Sequence, residues 1–162
     1  MTAISPGVRV GCRRDLDTRG QVHDLVVSFY REIVFDDLLG PVFDEVAEVD
    51  WTVHIPKLID YWCRVLLGQP GYDGFILAPH QDLHELEALR PELFDRWYSL
   101  FVDAVDEHWE GPVSERAKVH AGRMAATLAR RILHVEWTPP RLDRDVKPQA
   151  TKEGMQHGPP DQ

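Results

Sequence analysis

Two histidines, His80 and His84, stand four residues apart. On a helix that spacing puts both imidazoles on one face. A neutral imidazole is the commonest metal ligand among side chains, so the pair is a candidate metal site. A structural zinc site needs four ligands, and no His-Glu-x-x-His motif or cysteine cluster completes the set. The surroundings of the two rings differ. His84 lies between Leu83 and Glu85 in an acidic stretch, which suits solvent; His80 follows Phe75-Ile76-Leu77-Ala78-Pro79, which suits a residue entering an apolar pocket. A third imidazole, His54, falls in register with Leu58 and Tyr61 beside a stripe of Trp51, Ile55 and Trp62. Tyr30 and Trp97 place a phenol and an indole on apolar faces, where each polar tip needs a partner. Taken singly, these are surface histidines and ordinary core aromatics.

The segments that carry them read as helices. Apolar residues Val22, Leu25, Val26, Phe29 and Ile33 recur at steps of three and four, predicting an amphipathic helix over 21–34. Asp36-Asp37 and Gly40-Pro41 close it, and Phe43 follows in a short segment. Asp50 is placed to cap a second helix that ends at Gly68. Pro56 inside that stripe calls for a kink or a first-turn position. Pro79 opens a short helix to about Leu89, and Pro91 opens another carrying Leu93, Phe94, Trp97, Phe101, Ala104 and Val105. Gly111-Pro112 breaks that one. A last helix from about Ser114 to Val135 presents Ala117, Ala121, Met124, Ala125, Leu128 and Ile132 on one face. No segment alternates with period two, so the fold class is all-α.

This pattern divides the 162 residues into a loose lead-in (1–18), one helical domain (19–137) and a charged tail rich in proline and glutamine, read as disordered (138–162). With 43% hydrophobic residues the chain can build a core. Its formal charge of −9, from 27 acidic and 18 basic residues, argues against nucleic acid and against an anionic membrane surface. No stretch approaches the roughly 20 apolar residues that cross a bilayer. Cys12 and Cys63 form no disulfide framework, and Arg9, Arg13 and Arg14 precede no apolar signal core, so the expected setting is the cytoplasm.

Order and spacing carry more than any residue alone. Phe29-Tyr30, Leu39-Gly40-Pro41-Val42-Phe43 and Trp51-Thr52-Val53-His54 come in sequence. Tyr61-Trp62, Leu66-Leu67-Gly68, Gly71-Tyr72-Asp73-Gly74, His80 and Phe94-Asp95-Arg96-Trp97 to Leu100-Phe101 follow. Through these strings, over about residues 21–133, the chain resembles the truncated haemoglobins. Within them it is similar to the third group, which lacks the glycine-pair motifs of the other two.

The resemblance implies a shortened globin fold, with helices packed two-over-two around haem b. It implies His80 as the proximal iron ligand, with Tyr30, His54 and Trp97 on the distal side and Phe43 wedging the haem. Leu58, Tyr61, Trp62, Ile76 and Leu77 complete the expected lining. The chain departs from the family in having a few extra residues, Asp82 to Glu87, between His80 and the Phe-x-x-Trp helix. Counting forward from Tyr72 selects His80, and counting back from Trp97 favours His84. A haem iron held by one imidazole keeps its sixth position for a small ligand. The implied function is binding of dioxygen and related diatomics, to which nitric oxide dioxygenase-like or peroxidase-like turnover can be added. A basic reductase is a fitting partner for the acidic surface. Two other classes remain open on sequence: a zinc-binding helical protein using His80 and His84, and a cofactor-free helical interaction module.

Overall fold

The first amphipathic stretch folds as α1 (Arg19–Phe35), opened by Thr18, whose hydroxyl accepts from the Gln21 N–H at 3.3 Å. This computed structural model describes residues 13–74, 76–86 and 89–142. After α1 the chain turns at Asp36. Its carboxylate accepts from the Leu38 and Leu39 N–H groups and pairs with Arg96 at 2.6 Å, tying the turn to the fourth helix. Gly40 is needed here, because a Cβ would stand 2.7 Å from the Val34 carbonyl oxygen. The segment after the turn, Val42–Val46, is π-helical and carries Phe43.

The second helix, α2 (Trp51–Leu67), begins at Asp50 as expected. The Asp50 carboxylate accepts from the Thr52 N–H at 3.0 Å and its hydroxyl at 2.6 Å. Pro56 deprives the Thr52 carbonyl of its usual donor, and α2 continues through it. Gly68 ends the helix in the left-handed conformation, φ 66°, where glycine has no Cβ penalty. The third helix, α3 (Leu77–Leu86), starts two residues before Pro79, which sits in the first turn where its missing N–H costs nothing. Two longer helices follow, α4 (Pro91–His108) and α5 (Pro112–Leu133). Among the described residues there is no strand, only an isolated bridge between Arg14 and Trp109.

The helices pair α1 with α2 and α4 with α5, and the pairs meet through α1 on α4 and α2 on α5. Phe29, Trp62 and Phe101 fill the centre. On α5, Ala117, Ala121, Ala125 and Ala129 are all buried, and their small side chains let the helix approach closely. This is the two-over-two arrangement that the resemblance implies. Among the described residues no helix is long and apolar enough to cross a membrane.

Residues 13–18, read from sequence as part of a loose lead-in, have fixed contacts in the structure. Leu16 is fully buried. The Asp15 carboxylate caps α5, accepting from the Val113 N–H at 2.9 Å and from the Ser114 N–H and hydroxyl, each at 2.7 Å. Gly111 makes room for it: its φ of 141° is open to glycine, and a Cβ would fall 2.5 Å from the Asp15 carboxyl carbon. At the other end Trp137 is buried, and its indole donates to Asp95 at 2.7 Å. Residues 1–12 and 143–162, including Cys12 and most of the expected tail, lie outside the described residues.

Burial alone would raise the pKa of Asp15, but the donors of Val113, Ser114 and Leu16 together hold it below the ordinary 3.8. A depressed folded pKa adds stability above the unfolded value, and this is lost as pH falls through the folded value. Asp15→Ala is expected to cost about 2 kcal/mol at neutral pH, the upper range for a helix cap. The gap between wild type and variant should close as pH drops below about 4. Chemical denaturation of both proteins across pH measures this.

Candidate functional site

The Val42–Val46 segment, α2, α3 and α4 each bring partly buried apolar side chains to the core. The third helix rests on α5 rather than on α2, and no α3 residue is fully buried. Phe43, Trp51, Ile55, Leu58, Ile76, Leu77 and Trp97 pack against the core yet stay only half-buried. So many large apolar side chains left partly covered mark surface where the protein's own atoms do not complete the packing.

Tyr30 projects from α1 into this region and is 6% exposed. Its ring meets Phe43 at 6.1 Å, Trp51 at 5.8 Å and His54 at 6.2 Å between centroids. The Trp97 indole lies close enough to favour its phenolate, the one influence that works against burial. Burial nevertheless pushes the Tyr30 pKa far up, so it remains a phenol at any ordinary pH. The sequence-expected distal residues Tyr30, His54 and Trp97 are thus brought together, with Phe43 against them.

His80 lies on α3. Its Nδ1 is 2.7 Å from the Ile76 carbonyl oxygen. A carbonyl can only accept, so Nδ1 carries the hydrogen and Nε2 keeps its lone pair. Burial depresses the His80 pKa, outweighing the bond to Ile76 that would raise it, and the ring is neutral at pH 7. His54 is depressed as well, first by burial, then by its neighbours His80 and Lys57.

His84 occupies a different place. Its Nδ1 accepts from the Leu89 N–H at 3.0 Å, linking α3 to the start of the next connection. It lines a polar surface cleft of about 350 Å³ with Gln81, Asp82, Glu85, Arg131, Ile132 and His134. Among the described residues no group of three or more His, Cys, Asp or Glu side chains is disposed to hold a metal ion.

Two of the expected lining residues face elsewhere. Trp62 is 2% exposed and stacks on Phe101 at 4.9 Å, so it backs the site from within the core. The Tyr61 hydroxyl points across to α5, 2.6 Å from His120 Nε2 and 3.4 Å from Met124 Sδ. Sequence reasoning did not single out Trp51 as a neighbour of Tyr30, although its spacing of three from His54 places both on one face. Nothing local in the sequence marks His120.

The donor set tests whether haem fits. A flat apolar group with an iron needs a neutral imidazole with a free lone pair, an apolar surround and polar donors opposite. His80 supplies the first, Phe43, Leu58, Ile76 and Leu77 the second, and Tyr30 and Trp97 the third. The residues present fit.

No family model matches the chain. A curated relative, the group 3 truncated hemoglobin ctb of Campylobacter jejuni, is 29% identical over 111 residues, covering 64% of this chain and 85% of the relative. The crystal structure of a group III truncated hemoglobin from Campylobacter jejuni is similar in fold. Its TM-score is 0.63 at 24% identity, covering 71% of this chain and 91% of that one. Motifs, relative and solved structure agree on one family, the group III truncated haemoglobins, as the one this chain resembles.

Proposed function

We propose that the chain is a haem b protein that takes dioxygen and related diatomic ligands beside α2 and α3, with His80 holding the iron. The observation that carries this reading is the His80 geometry: a neutral ring with Nδ1 committed to the Ile76 carbonyl and Nε2 left to ligate. The bond to Ile76 fixes both tautomer and ring orientation, which a metal-bound histidine requires. When bound, haem supplies a redox-active iron with one position open to a small ligand.

The chain's own residues do the rest. Phe43, Leu58, Ile76 and Leu77 exclude water from the flat apolar surface, with Tyr61 and Trp62 behind them. The Tyr30 hydroxyl and the Trp97 indole each offer a hydrogen to a ligand in the pocket. His54, half-buried at the border, sits where it governs access. Nitric oxide dioxygenase-like and peroxidase-like turnover both suit such a pocket. Either would draw electrons from a reductase in the cytoplasm, and a basic one would match the acidic surface.

Ligand-linked stability tests the proposal. Haem at 1,000 times its dissociation constant adds about 4 kcal/mol to the folded state. The thermal midpoint should therefore rise by on the order of ten degrees with haem and stay unchanged with zinc. A midpoint that responds to zinc and not to haem would overturn the reading.

A further inference from the structure

We propose that Tyr61 and His120 form a redox-active pair in which Tyr61 gives up an electron to a one-electron oxidant while its hydroxyl proton passes to His120 Nε2. The bond broken is the Tyr61 O–H and the bond formed is N–H on His120. The products are a neutral phenoxyl radical on Tyr61 and an imidazolium on His120. Return of an electron from any one-electron donor sends the proton back.

The geometry is specific. The two atoms stand 2.6 Å apart across the α2–α5 contact, at the short end for a hydrogen bond between an oxygen and a nitrogen. Burial, and then the nearby Tyr72, pushes the Tyr61 pKa up to about 12, so the ring cannot lose its proton to water before it is oxidised. Burial, and then Arg123, pushes His120 down, so the ring is neutral at neutral pH, and in the tautomer with its hydrogen on Nδ1 the Nε2 lone pair accepts from Tyr61.

The pair is also wired to the pocket. The Tyr61 ring lies 5.5 Å from Trp62, which stacks on Phe101 at 4.9 Å and 18°. Phe101 in turn stacks on Trp97 at 5.5 Å and 13°. On the other side Tyr72 lies 5.3 Å from Tyr61 and is half-exposed. A hole arising at Trp97 would thus have a run of adjoining rings, two contacts stacked and the last edge-on at 76°, leading to a tyrosine with its own base. That use of the pair rests on the pocket proposed above; the pair itself does not.

The test is photochemical oxidation of the full-length protein without added haem, so it does not depend on the pocket. Ruthenium(III) tris-bipyridine, generated by a flash in the presence of persulfate, takes the electron and returns to ruthenium(II). Freeze-trapped samples are then read by electron paramagnetic resonance. Wild type should show a neutral tyrosyl signal that Tyr61→Phe removes. His120→Gln retains a hydrogen-bond acceptor but no base, and should slow formation of the signal about a hundredfold, the weight of a general base. A signal that persists in Tyr61→Phe overturns the assignment. An unchanged rate in His120→Gln would show that the contact is only a hydrogen bond.

Discussion

Replacing His80 with alanine is expected to weaken haem retention by more than about a hundredfold, since loss of an outer-shell partner of a metal ligand alone costs up to that much. The same substitution at His84 is expected to leave haem absorption near normal. Both rings lie on one short helix, so position alone does not separate them. Their commitments do. His80 has Nδ1 on the Ile76 carbonyl and Nε2 unassigned, in a setting buried enough to keep it neutral. His84 spends Nδ1 as an acceptor for the Leu89 N–H and opens on a polar cleft with Asp82, Glu85 and Arg131. Loss of haem in His84→Ala with retention in His80→Ala would mean that the extra residues of this chain lie before the ligand rather than after it.

A comparably large effect is expected on the distal side. Tyr30→Phe and Trp97→Phe each delete one polar group while keeping an aromatic ring. A hydrogen bond of the stronger kind is worth roughly 1.5–3 kcal/mol, so dioxygen release should speed up by about one to two decades. Dioxygen accepts a hydrogen bond better than carbon monoxide does, so carbon monoxide release should change less. The two effects should not add, because the two side chains are close neighbours and would serve one ligand. His54→Leu should instead change association rates, since this ring stands at the border of the pocket. Stopped-flow and flash-photolysis rates decide. A shift below about threefold in both Tyr30→Phe and Trp97→Phe falls short of an ordinary hydrogen bond and would contradict a polar distal site.

Much of this architecture was legible because it is local. The steps of three and four from Val22 to Ile33 define α1, and Asp50 and Gly68 bracket α2. Pro91 and Pro112 stand in the first turns of α4 and α5. Two helix ends were less readable. α5 stops at His134, a left-handed residue with φ 56° that is not glycine, and α3 begins ahead of its proline. The features that escaped are those made across long sequence separations. Asp15 caps a helix whose first residues come almost a hundred positions later, and Tyr61 finds His120 on another helix. Residue type offers no sign of either partner. The same applies to Trp62. Its place in the apolar stripe was plain, but which neighbour it stacks on depends on how α2 meets α4. The convergence of Tyr30, Phe43, His54 and Trp97 is equally non-local; it was reached only through the order and spacing of family motifs.

The most direct measurement is an absorbance titration of the purified full-length protein with haem, run with and without excess zinc. Haem ligation by His80 predicts a sharp Soret band that grows linearly and stops at equimolar haem, with zinc making no difference. A broad band that never saturates, as free haem gives, or one that zinc abolishes, would contradict it.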